Sequence, residues 1–377
     1  MYGAELTIKH ARTTLDGFAP AAERIIIELG DDFPDYYDPH AGTWARNGGW
    51  TEGFWTGILW QLYAHTRDPH WWKWARRYTR LLAESKRDFT DHDLGFLYDH
   101  SCVMEHALTG DEEMLPEALV AADRLARRFN PAGRFIRAHG MLDDPHRAGY
   151  AIVDTAMNLH LLFWAHERTG NDTFRRVAVE VAHTILREYV RPDASTYQVV
   201  WFDPISGAVE RKETLQGHAP DSCWSRGQAW AIYGFAEVYR FTGEEVFCDT
   251  AGRLADYFLT HLPADGVAPY DFLDPAIPDV PTDTSAQAIA AAGLFALAAL
   301  RTGKERRRRI ADGVRLLIPL LNNYLAPLYP DPMRSRGFLR GGCYFLARQR
   351  GVDSELMFGD YYLVEALMRY LSLMAWE

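Results

Sequence analysis

Apolar positions along this chain fall into two alternating kinds of stretch. In one, Phe174, Val177, Ala178, Val181, Ala182 and Ile185 recur at helical spacing, with Arg175, Arg176, Glu180 and Arg187 opposite. Phe247, Ala251, Leu254, Ala255 and Phe258 repeat that pattern. Each is the signature of an amphipathic helix with one buried stripe. In the other kind, residues 286–300 carry only Gln287 as a polar side chain, and residues 159–165 only His160. A helix apolar all round is buried on every side. The chain therefore pairs inner helices with outer ones.

The pairs are joined by a recurring turn. Thr109-Gly110, Thr169-Gly170, Thr242-Gly243 and Thr302-Gly303 each follow an apolar helix, and Thr66-Arg67 is an earlier variant. Glycine there ends one helix in a left-handed cap, and the polar residues after it cap the next. Inner helices are expected to start near Thr51, Phe96, Asp154, Arg226, Asp283 and Asp360. Outer helices are expected near Ala4, Pro69, Asp111, Asp172, Glu244 and Glu305. Six such pairs predict an all-α toroid, the (α/α)6 barrel, as a single domain over residues 1–377. An open helical solenoid is the competing architecture, but it would keep its repeat length nearly constant. Here the loops before the inner helices vary widely. Residues 196–202 have strand composition, and residues 203–213 read as a turn and return strand, so a small β-hairpin at 196–213 is expected near the mouth of the ring.

Nearly every loop before an inner helix ends in a polar and aromatic cluster. Asp93 and Asp154 hold the same place in two successive repeats, each just ahead of an apolar helix. Ring closure would bring both carboxylates to one face, and a carboxylate pair in one cleft suits acid/base work on sugars. Taken singly, each aspartate reads as a helix N-cap. Asp283 and Asp360 are expected to be caps. Arg226 alone would be a surface or capping charge, and Trp50, Trp55 and Trp230 alone would be core. The aromatic content of 13% changes that weighting, because Trp and Tyr rings stack on sugar faces.

Charge and motifs narrow the function further. The net charge of −11 leaves nucleic acid and membrane surfaces as unexpected partners. The basic run at 304–309 reads as a solvated helix face. Cys102, Cys223, Cys248 and Cys343 lack metal-like spacing and read as free, mostly buried thiols. The first residues show no export pattern and no apolar run approaches a membrane span, so a cytoplasmic protein is expected. His92, His100 and His106 lack ligand spacing on one helix face, and His139 and His146 lie in a loop, so no metal or other cofactor is expected. GxSxG, P-loop and GxGxxG motifs are absent.

The motifs Trp50-Thr51-Glu52-Gly53-Phe54-Trp55, Asp91-His92-Asp93-Leu94-Gly95-Phe96, Arg226-Gly227-Gln228-Ala229-Trp230 and Gly359-Asp360-Tyr361-Tyr362 resemble those of unsaturated glucuronyl hydrolases, glycoside hydrolase family 88. The resemblance runs in order from about Trp50 to Leu367. It implies an (α/α)6 barrel acting on lyase-generated oligosaccharides with a 4,5-unsaturated uronic acid at the non-reducing end. The implied chemistry is hydration of the C4–C5 double bond. By resemblance Asp154 is the general acid/base, and Asp93 is the second carboxylate that holds the sugar and the developing positive charge. Gln216, Arg226 and Trp230 match positions lining the sugar subsite, with the guanidinium apt for the uronate carboxylate. Trp50 and Trp55 are expected as stacking walls. Where family members carry His in the hairpin insertion this chain has Gln198, where another His precedes the glutamine it has Leu215, and a family Trp position is His139. Those departures bear on the second sugar, its linkage and its sulfation. A monomer or weak homo-oligomer is expected. The other readings are a rhamnogalacturonyl hydrolase or sugar epimerase on the same toroid, or a non-catalytic helical-repeat binding protein.

Overall fold

The structure, a computed structural model, describes residues 6–326 and 336–375. In chain order its helices are α1 (Ile8–Leu29), α2 (Glu52–Thr66), α3 (Pro69–Ser85), α4 (Leu94–Tyr98), α5 (Met104–Thr109), α6 (Leu115–Arg127), α7 (Thr155–Thr169), α8 (Asp172–Glu188), α9 (Ser225–Thr242), α10 (Glu245–Thr260), α11 (Thr284–Ala299), α12 (Gly303–Asn323) and α13 (Met357–Met374). Helices α2, α4, α7, α9, α11 and α13 pack in turn, and α13 returns to α2. Outside them α3, α6, α8, α10, α12 and α1 lie against α2, α4, α7, α9, α11 and α13. The ring is closed, so the architecture is the (α/α)6 barrel and not an open solenoid.

Burial follows the two patterns in the sequence. Every residue of α11 up to Ala298 is buried, whereas α8 buries one stripe that includes Phe174, Val177, Val181 and Ile185. Gln287, the polar exception on α11, is fully enclosed. Its amide donates to the carbonyls of Gly266 and Leu316 at 3.1 and 2.7 Å and accepts from the Ala268 N–H at 2.8 Å. It ties the inner helix to its outer partner and to a site-face loop.

The Thr-Gly turn works through both residues. Thr109, Thr169 and Thr242 each donate their hydroxyl to the carbonyl four residues back, at 2.7, 2.6 and 2.8 Å. The same oxygens accept the amide two residues on, at 3.1, 3.2 and 3.2 Å. Gly110, Gly170 and Gly243 then take φ near +70° (74, 70 and 69), with open space where a Cβ would sit. Backbone conformation, not crowding, selects glycine there. Thr302-Gly303 differs, because α11 ends earlier and Gly303 opens α12.

Several boundaries differ from expectation. The outer helix expected at Asp111 begins at Leu115. The expected start at Ala4 lies outside the described residues, and α1 runs from Ile8. The inner helix near Phe96 is interrupted by a π-helical turn over Asp99–Val103 before α5 resumes. The basic run on α12 is not wholly solvated. Arg309 is buried and pairs with Glu305, Asp256 and Asp312 at 2.7, 3.1 and 3.4 Å. All four cysteines are free and buried.

Strands gather mostly around the loops that lead into the inner helices. They are β1 (Pro34–Asp38), β2 (Thr43–Arg46), β3 (Phe129–Asn130), β4 (Phe135–Ile136), β5 (Tyr150–Ile152), β6 (Val199–Phe202), β7 (Val209–Glu213), β8 (Gly342–Phe345) and β9 (Arg350–Leu356). The expected hairpin is β6–β7, and β5 joins it as a third antiparallel strand. A four-stranded sheet, β2-β1-β9-β8, was not expected. It pairs Tyr36 and Tyr37 with Leu356 and Glu355, from opposite ends of the chain. Among the described residues no helix is long and apolar enough to cross a membrane.

Candidate active site

Asp154 enters the barrel mouth because β5, pinned on β6, stops just before α7. The Val153 amide bonds the Gln198 carbonyl at 2.9 Å, continuing the β5–β6 pairing to the edge of the helix. Asp154 then occupies the N-cap position, and Asp93 does the same for α4. Neither side chain makes a capping hydrogen bond. Their backbones explain this: φ, ψ of −59°, −21° at Asp154 and −71°, 28° at Asp93 lie outside the extended region that aims a carboxylate back at its own helix. Both carboxylates instead line a cavity of about 650 Å³ at the ring mouth.

Asn158, one turn into α7, links the two aspartates. Its amide lies 3.2 Å from Asp93 Oδ1 and 3.3 Å from the Asp154 carbonyl, and its oxygen accepts the Phe96 N–H at 3.1 Å. Asp154 Oδ1 is buried and has no hydrogen-bond partner. His92 stands behind Asp93, its Nε2 3.2 Å from Asp93 Oδ1 and its Nδ1 bonded to Thr155 Oγ1 at 2.9 Å. Burial, with the charges of His139 and Arg128, holds His92 well below the usual imidazole range, so it is neutral.

Burial dominates both carboxylates. It pushes Asp154 up to about 6, against the lowering charges of Arg226 and His139. It pushes Asp93 up to about 7, with His139 opposing and the charges of Asp154 and Asp91 adding to the rise. A pair of acids that keeps a proton close to neutrality is suited to general acid/base work. His139 lines the same cavity with its Nδ1 3.6 Å from Asp91 Oδ1. Burial disfavours its charge, but Asp91, Asp93 and Asp154 outweigh that and raise its pKa. The rings of His92 and His139 are 5.6 Å apart, yet only His139 faces the cavity. The two do not form a pair of exposed imidazoles.

The remaining site positions divide into walls and supports. Trp50 and Trp230 line the cavity. Trp50 stacks on Phe358 at 5.2 Å and donates its indole N–H to Tyr344 Oη at 2.7 Å. Trp55 does not line it. It is 0% exposed, packed edge-on against Tyr78 at 5.9 Å on the outer side of α2, so it is not a stacking wall. Gln198 and Gln216 line the cavity but also brace it. Gln198 Oε1 accepts the amides of Leu215 and Gln216 at 2.9 and 2.8 Å, while Gln216 Nε2 donates to the Tyr344 carbonyl at 3.0 Å. Leu215 lines the mouth and is exposed.

Arg226 is 1% exposed and already engaged. Its guanidinium holds Asp283 and donates to the carbonyls of Cys343 and Tyr344, the latter two at 2.7 and 2.6 Å. It lies between the rings of Trp224 and Phe358, at 4.5 and 4.9 Å. Its structural work is to anchor β8 to α9 and to keep a positive charge under Asp154. Asp283 is therefore not a simple cap. It binds Arg226 and accepts from Ser285 and the Cys343 amide. Asp360 is not one either: it accepts the amides of Phe338 and Leu339 at 3.1 and 2.7 Å and holds the loop before β8.

Sequence reasoning missed Asn158 and Tyr344. Asn158 had a signal, a lone amide one turn after Asp154 on an otherwise apolar face. Tyr344 had none, because its place depends on β8 pairing with β9.

Residues 28–256 match the family model for Glycosyl Hydrolase Family 88. The chain is 38% identical over 351 residues to unsaturated glucuronyl hydrolase of Bacillus sp. strain GL1, covering 92% of this chain and 93% of that one. It is 33% identical to unsaturated chondroitin disaccharide hydrolase of Streptococcus pneumoniae, covering 85% and 81%. The solved structure of the Bacillus sp. GL1 enzyme superposes with a TM-score of 0.90 at 37% identity, over 95% of this chain and 96% of that one.

Proposed function

Since the chain belongs to glycosyl hydrolase family 88, we propose that it is an unsaturated uronyl hydrolase. In this reading it releases the 4,5-unsaturated uronic acid from the non-reducing end of lyase-generated oligosaccharides. The observation that carries it is Asp154: a half-buried carboxyl, protonated up to about 6, with a buried, unpartnered Oδ1 at a sugar-sized cavity.

The chemistry follows from the substrate's vinyl ether. Protonated Asp154 gives its proton to C4, and positive charge develops on C5 and the ring oxygen. Asp93, held by Asn158 and backed by neutral His92, faces that charge. Asp154, now a carboxylate, takes a proton from the water that adds to C5. The hemiketal formed opens to a C5 ketone and leaves C1 as a hemiacetal. Collapse of the hemiacetal expels the remaining saccharide as an alcohol and leaves a keto acid with an aldehyde at C1. One water is consumed and Asp154 ends as it began. Trp50 and Trp230 supply apolar faces for the sugar rings. Arg226 lines the same cavity and keeps a positive charge beside Asp154 while it anchors β8.

The proposed oligomeric state is a monomer or weak homo-oligomer. The four free, buried thiols fit a reducing compartment, and the proposed location is the cytoplasm. The test is to mix the protein with unsaturated disaccharides from chondroitin, heparin and gellan-type polymers and follow the double-bond absorbance. Loss with at least one substrate is expected. Unchanged absorbance with all of them would reject the reading.

A further inference from the structure

The barrel axis holds a second cavity, of about 350 Å³, below the first. The mouth cavity draws Asp154, Arg226 and Trp230 from the first turns of the inner helices. The second is lined further along the same helices, by His160 of α7, Glu237 and Arg240 of α9, and Glu365 and Arg369 of α13. A layer of Phe96, Trp230 and Tyr362, with ring centroids 5.0 and 5.4 Å apart, separates the two. The proposed hydrolysis uses none of these charged groups.

Three carboxylates and two guanidiniums are drawn together on the walls of the second cavity; the carboxylates are largely buried, while Arg240 and Arg369 are partly open to solvent. Glu237 pairs with Arg240 at 2.7 Å, and Glu365 with Arg369 at 3.0 Å. Tyr233 donates to Glu365 Oε1 at 2.7 Å and accepts from Arg369 at 2.6 Å. Asp99 lies 3.0 Å from His160 Nδ1. Asp99 reaches the axis from the π-helical turn that interrupts the inner helix, and such turns occur often at functional sites.

Polar atoms remain without partners after these pairings. Tyr362 is 1% exposed and its hydroxyl bonds nothing, and Glu365 Oε2 is likewise buried and unpartnered. Buried groups of this kind are each worth about 1–3 kcal/mol when satisfied. With His160 charged against Asp99, the acidic and basic groups balance, which favours a neutral occupant. A carboxylate oxygen requires a donor, and a phenol can give or accept, which together describe hydroxyl groups. Tyr361 and Tyr362 supply faces for C–H surface. The volume falls in the range of about 300–1,000 Å³ typical of small-molecule sites.

The geometry points to a second ligand site at this end of the barrel, taking a neutral polyhydroxylated molecule of monosaccharide size. The site is independent of the reaction at Asp154, so the proposal stands or falls separately from the proposed function. Saturation-transfer NMR with D-glucose on the full chain tests it, using wild type, Asp154→Asn, Glu365→Gln and Tyr362→Phe. Transfer is expected in wild type and Asp154→Asn at millimolar glucose. Affinity should drop at least about tenfold (about 1.4 kcal/mol) in Glu365→Gln and in Tyr362→Phe. Tyr362→Phe removes a hydroxyl that supports nothing else, so it keeps the test valid if Glu365→Gln does not fold. Absence of transfer in wild type, transfer unchanged in the folded cavity variants, or transfer lost only in Asp154→Asn would each overturn the proposal. So would a glucose-soaked crystal with only water between Tyr362 and Glu365.

Discussion

Asp154 and Asp93 hold protons for the same main reason, removal from water, and to similar pH. Because burial raises them to about 6 and about 7, the pair passes through a singly protonated form between those values. The singly protonated pair keeps its proton mostly on Asp93, whose value is the higher, so the proposed mechanism, which needs the proton on Asp154 and the charge on Asp93, draws on the minor arrangement of that form. The pH profile of kcat/KM should therefore be a bell with its maximum between about 6 and 7. It falls on the acid side as both carboxyls hold protons and on the basic side as the last proton leaves. A rate still climbing at pH 8 would contradict this. The same shifts predict stability. Each folded value lies above the ordinary 3.8, so the contribution of these two groups to stability is full below about 3.8 and is lost progressively as pH rises from there through about 6 to 7. Asp154→Asn removes that charge and should stabilise the fold at pH 8 by about 1–3 kcal/mol, read as a higher Tm. Asn158→Ala, which unties Asp93, should lower kcat by about tenfold to a hundredfold with little change in KM.

At the scale of elements, the inner ring is set by close approach. Gly95 faces Asn158 and Gly234 faces Ala156, at Cβ distances of 2.6 and 2.5 Å had either been alanine. The four other seams also carry a glycine: Gly53 against Phe96, Gly293 against Tyr233, Gly359 against Ser285 and Gly57 against Tyr361. Gly95→Ala should therefore cost about 1–3 kcal/mol by overpacking and also displace Asn158. Denaturant unfolding and kcat should both register it. The alternation of apolar stretches and the Thr-Gly turns made the helices and their inner or outer rank legible from sequence. Asp93 and Asp154 were legible too, because the loop before each inner helix must end at the ring mouth, whereas Trp50 and Trp230 alone read as core and came to the cavity only through the family resemblance. Trp55 was not legible, since each residue turns a helix by about 100° and a tryptophan near the helix start can face either the axis or the outer layer. Trp50→Ala should raise KM. Trp55→Ala should leave KM alone and destabilise by about 3–5 kcal/mol. The sheet β2-β1-β9-β8 escaped because its pairing joins the chain's two ends, which local pattern does not encode. With it went Tyr344 and the anchoring of β8 by Arg226.

At the scale of the molecule, one continuous core runs through all the inner helices, from Phe54 to Leu367. Cutting it would open the ring, so we propose that the barrel is one domain and unfolds as one unit. Far-ultraviolet circular dichroism and tryptophan fluorescence should then give coincident thermal transitions. Two separated transitions would show that part of the ring folds alone. Side-by-side packing of successive inner helices α4 and α7, tied by Asn158, is what turns two equivalent repeat positions into one acid pair, and the ring encloses the cavity they line. The most direct test of that account is a paired assay on an unsaturated disaccharide the wild type consumes. Double-bond absorbance is followed for wild type and Asp154→Asn at pH 6.5, with Tm measured for both. The account predicts a loss of rate of about 10²–10⁴-fold in the variant with an equal or higher Tm. A folded Asp154→Asn that clears the double bond at near wild-type rate would contradict it.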